Sequence, residues 1–230
     1  MAHNLRFSKD LGNKGYFVPD STIDFCELNY QYSFYIAEFF NALSSFIFVV
    51  YGIYTFINTR FKTCSVLLMG VGLGSALFHS TLLYKFQLMD ELPMLWQASW
   101  LLYEVFKIKG YKLNIGFPLF LSLFGTAVHV YLEFPVLFFI LHTLYQIPSF
   151  LFPWSYWNDN NCRRWTLEYV FYISFAFACW CVDQAYCEQI QYLHLHSFWH
   201  IFSGLALYKW LIMTEYISKN GSAILNKKNL

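Results

Sequence analysis

The segment TCSVLLMGVGLGSALFHSTLL, residues 63–83, decides the fold, because it carries no Asp, Glu, Lys or Arg over a length that crosses a hydrocarbon core as a helix. Six further stretches have comparable apolar length, at 34–57, 89–106, 113–131, 134–152, 166–183 and 195–213. Each is near the roughly 20 residues that span about 30 Å of lipid. The connectors, among them NTRFK and KIKGYK, are too short to fold separately, so adjacent spans pack antiparallel as neighbours. The expected architecture is all-α. A seven-transmembrane bundle occupies 34–213, preceded by an N-terminal segment, 1–33, and followed by a tail, 214–230, whose clustered Asn and Lys predict fraying.

Composition supports one bilayer domain. Of 230 residues, 57% are hydrophobic and only 13% charged, where a soluble domain carries about a quarter. The net charge of +1 and the lack of a basic patch interleaved with aromatics argue against nucleic acid. The first residues contain no apolar run of the signal-peptide kind, so the first span is expected to target the chain.

Lys and Arg set the orientation. With the N-terminus outside, Arg60, Lys62, Lys107, Lys109, Lys112, Arg163, Arg164, Lys209, Lys219, Lys227 and Lys228 face the cytosol, against Arg6, Lys9, Lys14 and Lys85 on the other side. The positive-inside rule selects this arrangement, with a lumenal or extracellular N-terminus and a cytosolic tail. It suits endoplasmic reticulum or Golgi membranes alike.

In this orientation the ionisable residues collect at one end of the bundle. Ser75 and His79 close the second span, Asp90 and Glu91 open the third, Asp183 ends the sixth, and His194, His196 and His200 begin the seventh. Such groups inside a span call for a partner, a metal or a polar cavity. His196 and His200, four apart in LHLHSFWHIF, share a helix face. His79 lies at the same depth, and three neutral imidazoles with a fourth position open form a catalytic zinc shell. Packed or interfacial histidines would give the same spacing. His194 should point elsewhere, His129 has no motif, and His142 suits an interhelical hydrogen bond.

Ser75 follows a glycine-rich run and suits either the cavity or close helix packing. Asp90 and Glu91 suit either proton transfer or a helix N-terminus. In DFCELNYQYSFYIAEF, the oxygen-bearing Asp24, Glu27, Asn29 and Glu38, with the carbonyl of Phe25, suit a hard cation such as calcium. Capping and solvent-facing acids explain the turn equally. No CxxC pair occurs, and Cys26 and Cys187 fall on the same outer side, where topology permits a disulfide.

The ordered motifs STIDFCELNY, YIAEFFN, GSALFHSTL, QLMDELPM, CVDQAYCE and LHSFWHIFSG resemble those of the alkaline ceramidase family from about Thr22 to Tyr208. The resemblance implies seven helices around a lipid-accessible cavity. It also implies zinc on His79, His196 and His200, an active-site Ser75 and a catalytic Asp90. Calcium would bind Asp24, the Phe25 carbonyl, Glu27, Asn29 and Glu38, and a disulfide would join Cys26 to Cys187. The implied reaction is hydrolysis of the ceramide amide to a sphingoid base and a fatty acid, with a membrane lipid as the partner. Phe25 stands where the family commonly has tryptophan, and the stretch from Asp183 to His196 is short for it. A related lipid amidase or esterase, and a seven-span lipid-binding receptor with structural zinc, are the competing readings.

Overall fold

A computed structural model describes residues 15–132 and 135–226; Arg6, Lys9, Lys14, Lys227 and Lys228 of the orientation argument, and Glu133 and Phe134 of the connector, lie outside them. The described residues form an all-α bundle of α1 (Phe39–Asn58), α2 (Lys62–Thr81), α3 (Tyr84–Ile108), α4 (Gly116–Leu132), α5 (Pro135–Leu151), α6 (Asn160–Ala185), a short α7 (Cys187–Ile190) and α8 (Leu195–Asn226). A 3-10 turn, Phe152–Tyr156, joins α5 to α6. Four stretches, Phe39–Asn58, Lys62–Thr81, Leu137–Tyr156 and Asn160–Ala185, are long and apolar enough to cross a membrane.

The pattern of α1 is inverted relative to a helix of a water-soluble bundle. On α1, Leu43, Phe46, Val50, Ile53 and Ile57 face outward, while Asn41, Ser45 and Thr55 are fully buried. That outward stripe has the three- and four-residue spacing of a helix face, and its natural solvent is lipid. The chain is an integral membrane protein.

α2 packs between α1 and α3, and α8 packs between α1 and α6. α3 also receives α4 and α5. Small residues let α2 approach both neighbours: a Cβ on Gly72 would lie 3.0 Å from the Ser45 carbonyl, and one on Gly74 would lie 2.8 Å from the Asp90 nitrogen. α3 and α4 are joined by polar rungs, His129 to Glu91 at 2.7 Å, Trp96 Nε1 to Thr126 at 2.8 Å and Ser99 to Ser122 at 2.7 Å. α3 therefore has the polar content of a helix that meets protein rather than lipid on much of its surface.

Several boundaries differ from the hydropathy reading, three of them for reasons visible in the packing. α1 starts at Phe39 rather than 34, because Ala37 and Glu38 instead donate their N–H groups to the Ser80 and His79 carbonyls at the end of α2. α3 starts at Tyr84, five residues before the apolar run, with Asp20 Oδ1 accepting from the Tyr84 nitrogen. α8 continues to Asn226, and Trp210, Met213 and Ile217 bury against Phe61 and Tyr156. The segment from 15 to 38 thus folds over one end of the bundle, and the far end of α8 closes the other.

Candidate active site

His79 sits two residues from the end of α2, and His196 and His200 lie in the first two turns of α8. All three are buried, and one ligand atom from each lies within 4.8 Å of the others. Their ring partners explain the convergence. Glu38 Oε2 lies 2.5 Å from His79 Nδ1, which directs Nε2 of that ring to the cluster. Ser44 Oγ lies 2.8 Å from His200 Nδ1 and does the same for the second ring. The Phe25 ring stacks on His196 at 3.7 Å. His79 Nε2 and His196 Nδ1 are buried without a hydrogen-bond partner.

These observations test the fit to a metal. Two orphaned ring nitrogens and three mutually facing imidazoles are costly without a cation, and neutral imidazole is a good zinc ligand. Glu38 behind His79 repeats the carboxylate–histidine pairing that orients metal-binding rings. The donor set fits. Among the described residues these three histidines are the grouped His, Cys, Asp and Glu ligand atoms that converge for a metal.

Ser75 is 1% exposed and accepts a hydrogen bond from Ser45 Oγ at 3.1 Å. Its own hydroxyl donates to the Asp90 carboxylate. Gly72 and Gly74 bring helices together, while Ser75 faces the interior. Ser75, Asp90, His196 and His200 line one cavity of about 560 Å³. Aromatic and aliphatic groups, including Phe138, Ile147 and Phe177, form most of its wall.

The acidic turn is organised around the helix beneath it. Glu27 accepts from the Phe40 and Asn41 nitrogens at 2.8 and 2.9 Å, satisfying the N-terminus of α1. Burial, and then the neighbouring Glu38, push the Glu27 carboxyl up to about 7. Asp24 hydrogen-bonds Glu38 and also accepts from the Phe25 nitrogen at 3.1 Å. Asn29 is 9% exposed in the same turn. Cys26 and Cys187 are joined by a disulfide with Cα atoms 5.1 Å apart, and Asp183 Oδ2 accepts from the Cys26 nitrogen.

Sequence reasoning missed several partners. Ser44, Ser45 and Asn41 lie on α1, far along the chain from the residues they hold, and only helix rotation reveals them. Asn41 Oδ1 accepts from Ser197 at 3.0 Å and its amide donates to Glu38 at 3.1 Å. His129, not His142, makes the interhelical hydrogen bond, to Glu91. His142 makes none to another described residue; its ring lies nearly parallel to Phe138 in the cavity wall. His194 stands outside the cluster, 4.3 Å from the Phe40 ring.

A lipid-facing bundle with a buried imidazole cluster, a serine–aspartate pair and an apolar cavity defines the class of membrane-embedded, amidohydrolase-like enzymes with a candidate metal centre. Residues 18–227 match the family described as Ceramidase. The chain belongs to the alkaline ceramidase family. It is 31% identical over 205 residues to an alkaline ceramidase of Arabidopsis thaliana, covering 82% of this chain and 80% of that protein. It is 29% identical over 234 residues to alkaline ceramidase 3 of Mus musculus, covering 88% and 86%. An alkaline ceramidase of Drosophila melanogaster is 30% identical over 220 residues, covering 85% and 77%.

Proposed function

We propose that this protein is a zinc-dependent amidase of the bilayer that hydrolyses ceramide, or its dihydro- or phyto- relatives, to a sphingoid base and a fatty acid. The observation that carries the reading is the convergence of three buried imidazoles, two of which, His196 and His200, line an apolar cavity together with Ser75 and Asp90. His79, His196 and His200 would hold the zinc. Zinc bound there supplies positive charge that polarises an acyl oxygen and acidifies water.

The remaining chemistry belongs to the side chains. The Ser75 hydroxyl proton, which rests on the Asp90 carboxylate, would turn to a developing oxyanion once Asp90 has taken up the proton of the attacking water. Asp90, already within hydrogen-bond reach of Ser75, takes a proton from the attacking water and returns it to the departing amine nitrogen as the C–N bond breaks. The apolar wall keeps both lipid tails out of water. α5 and α6 meet through aromatic pairs, Phe139 with Trp180 and Phe150 with Tyr169, and the seam between them is the natural side entrance from the bilayer.

The same reading makes the chain seven-spanning, residues 34–213 forming the membrane domain between a lumenal segment, 1–33, and a cytosolic tail, 214–230, in endoplasmic reticulum or Golgi membranes. Supporting it, α3, α4 and α8 pack among the four long apolar helices. It also assigns calcium to Asp24, the Phe25 carbonyl, Glu27, Asn29 and Glu38 on the family resemblance, although among the described residues these carboxylates are not grouped as the three histidines are. Calcium should raise the melting temperature of wild type and not of Glu27→Gln; equal increments in both would remove the site.

The test of the main proposal is product mass spectrometry on purified protein given ceramides, acyl esters and phospholipids, with bound metal measured on the same preparation. The expected outcome is amide cleavage with about one zinc per chain, both abolished in His196→Ala. Cleavage of esters alone, or retained turnover in that variant, rejects it.

A further inference from the structure

The cavity wall is mostly apolar, and several of its polar groups are already engaged. Gln97 Nε2 donates to the Cys64 carbonyl at 2.9 Å, and Ser203 Oγ donates to the Trp199 carbonyl at 2.5 Å. Glu91 bonds His129 and Gln87, and Ser75 and Asp90 bond each other. α5 is different. It brings His142 and Gln146 into the lining, four residues apart and therefore on one helix face, with Thr143 beside them. Neither His142 nor Gln146 hydrogen-bonds another described residue.

Unmet polar groups inside a lipid-filled cavity are unfavourable, and hydrocarbon tails offer them nothing. A ligand that satisfies them carries its own donor and acceptor some way along a chain. A hydroxyl is the smallest group with both, and neutral imidazole and a primary amide each match it with both.

Contacts place this stripe relative to the reactive centre. Glu91, next to Asp90, bonds His129 at 2.7 Å; the His129 ring lies 5.2 Å from Phe138, and Phe138 lies 5.8 Å from His142 with the rings nearly parallel at 14°. Gln146 is one helical turn, about 6 Å, further along α5. A lipid amide held beside Asp90 and Ser75 thus sends a chain past His142 first and Gln146 next.

We infer that His142 and Gln146 form a hydrogen-bonding subsite for a hydroxyl on a lipid chain beyond the scissile amide, making them specificity-determining residues. The inference rests on the amidase reading. The hydroxyl can come from the sphingoid chain or from the acyl chain, and the chemistry recognised is the same.

The experiment uses full-length protein in nanodiscs and four ceramides: unhydroxylated, hydroxylated at C4 of the sphingoid chain, hydroxylated at C2 of the acyl chain, and both. The readout is the ratio of kcat/KM for each hydroxylated lipid to that of the plain one. One hydrogen bond predicts a ratio of about 3 to 10 for the hydroxyl that reaches the subsite. The ratio should fall to about 1 in His142→Phe with Gln146→Leu, with each single variant intermediate. It is internal to each preparation, so partly folded protein still reports it. Thermal stabilisation of Asp90→Asn protein by the same four lipids reads binding without turnover. Equal ratios across all four lipids in wild type, or a preference that survives in the double variant, overturns the subsite. If no lipid is cleaved but binding still discriminates in a way His142 and Gln146 control, the amidase reading falls and the subsite stands.

Discussion

At the scale of single residues, Glu38 carries more of the site than its place at the start of α1 suggests. One carboxylate oxygen meets His79 Nδ1 at 2.5 Å and the Asn41 amide at 3.1 Å, and the other accepts from the Phe25 nitrogen at 3.3 Å. It therefore fixes the tautomer of a ring in the candidate metal cluster and ties that ring to the acidic turn. Glu38→Gln keeps the shape but loses the charge, and should weaken zinc binding about 10- to 100-fold in a chelator competition. Unchanged affinity would show that His79 needs no orienting carboxylate. The three histidines were legible because a four-residue spacing and a shared depth are properties of chain position. Glu38, Ser44 and Ser45 were not, since their roles depend on which way α1 is turned against α2 and α8. Phe25 shows the same limit: a reading by ligand type notices its carbonyl, whereas its ring is what stacks on His196.

Among the elements, the α2–α3 contact sets where Asp90 lies. A Cβ on Gly74 would meet the backbone of Met89 and Asp90, which cannot rotate away. A Cβ on Gly70 would meet only Pro93 side-chain atoms at 3.8 Å, an ordinary contact. Gly74→Ala should therefore lose about 1–3 kcal/mol of stability and most activity, whereas Gly70→Ala should lie within about 0.5 kcal/mol of wild type. Melting curves and turnover of the two proteins check this, and equal behaviour would mean that the bundle tolerates a wider α2–α3 spacing. Continuous apolar sequence located the four stretches long and apolar enough to cross a membrane, because lipid-facing surface needs it. The polar start of α3 was hidden, since Gln87 and Glu91 are accommodated by Thr22 and His129, distant partners that no local pattern announces. The long α8 was hidden for a related reason: Trp210, Met213 and Ile217 find their cover on Phe61 and Tyr156, beyond the reach of hydropathy.

Across the whole molecule, the two ends of the bundle do different work. Arg60 with Glu104, Arg164 and Lys209 with Glu168, and Lys219 with Glu215 pair at one end, where screened ion pairs contribute little beyond solubility. At the other end the segment from 15 to 38 is fastened over the histidines, and the Cys26–Cys187 disulfide closes a loop of 161 residues. Chain entropy alone would assign such a loop about 5 kcal/mol, yet helices that remain inserted in lipid restrain the unfolded chain already. The disulfide should therefore contribute nearer about 2 kcal/mol, and Cys26→Ser should lower the melting temperature by roughly 4–8 °C. The larger consequence lies in the site. Cys26 follows Phe25, whose ring covers His196, and its nitrogen is held by Asp183 on α6. Releasing the tether frees that cover, so zinc should leave the Cys26→Ser and Cys187→Ser proteins faster than wild type when a chelator is added, by the same factor in each. Thiol count separates this from any effect of Cys64 or Cys162, which are already free and buried in the other half of the bundle. Identical zinc release in all three proteins would mean that the segment holds its place on Asp183 and the α2 carbonyls without the covalent bond.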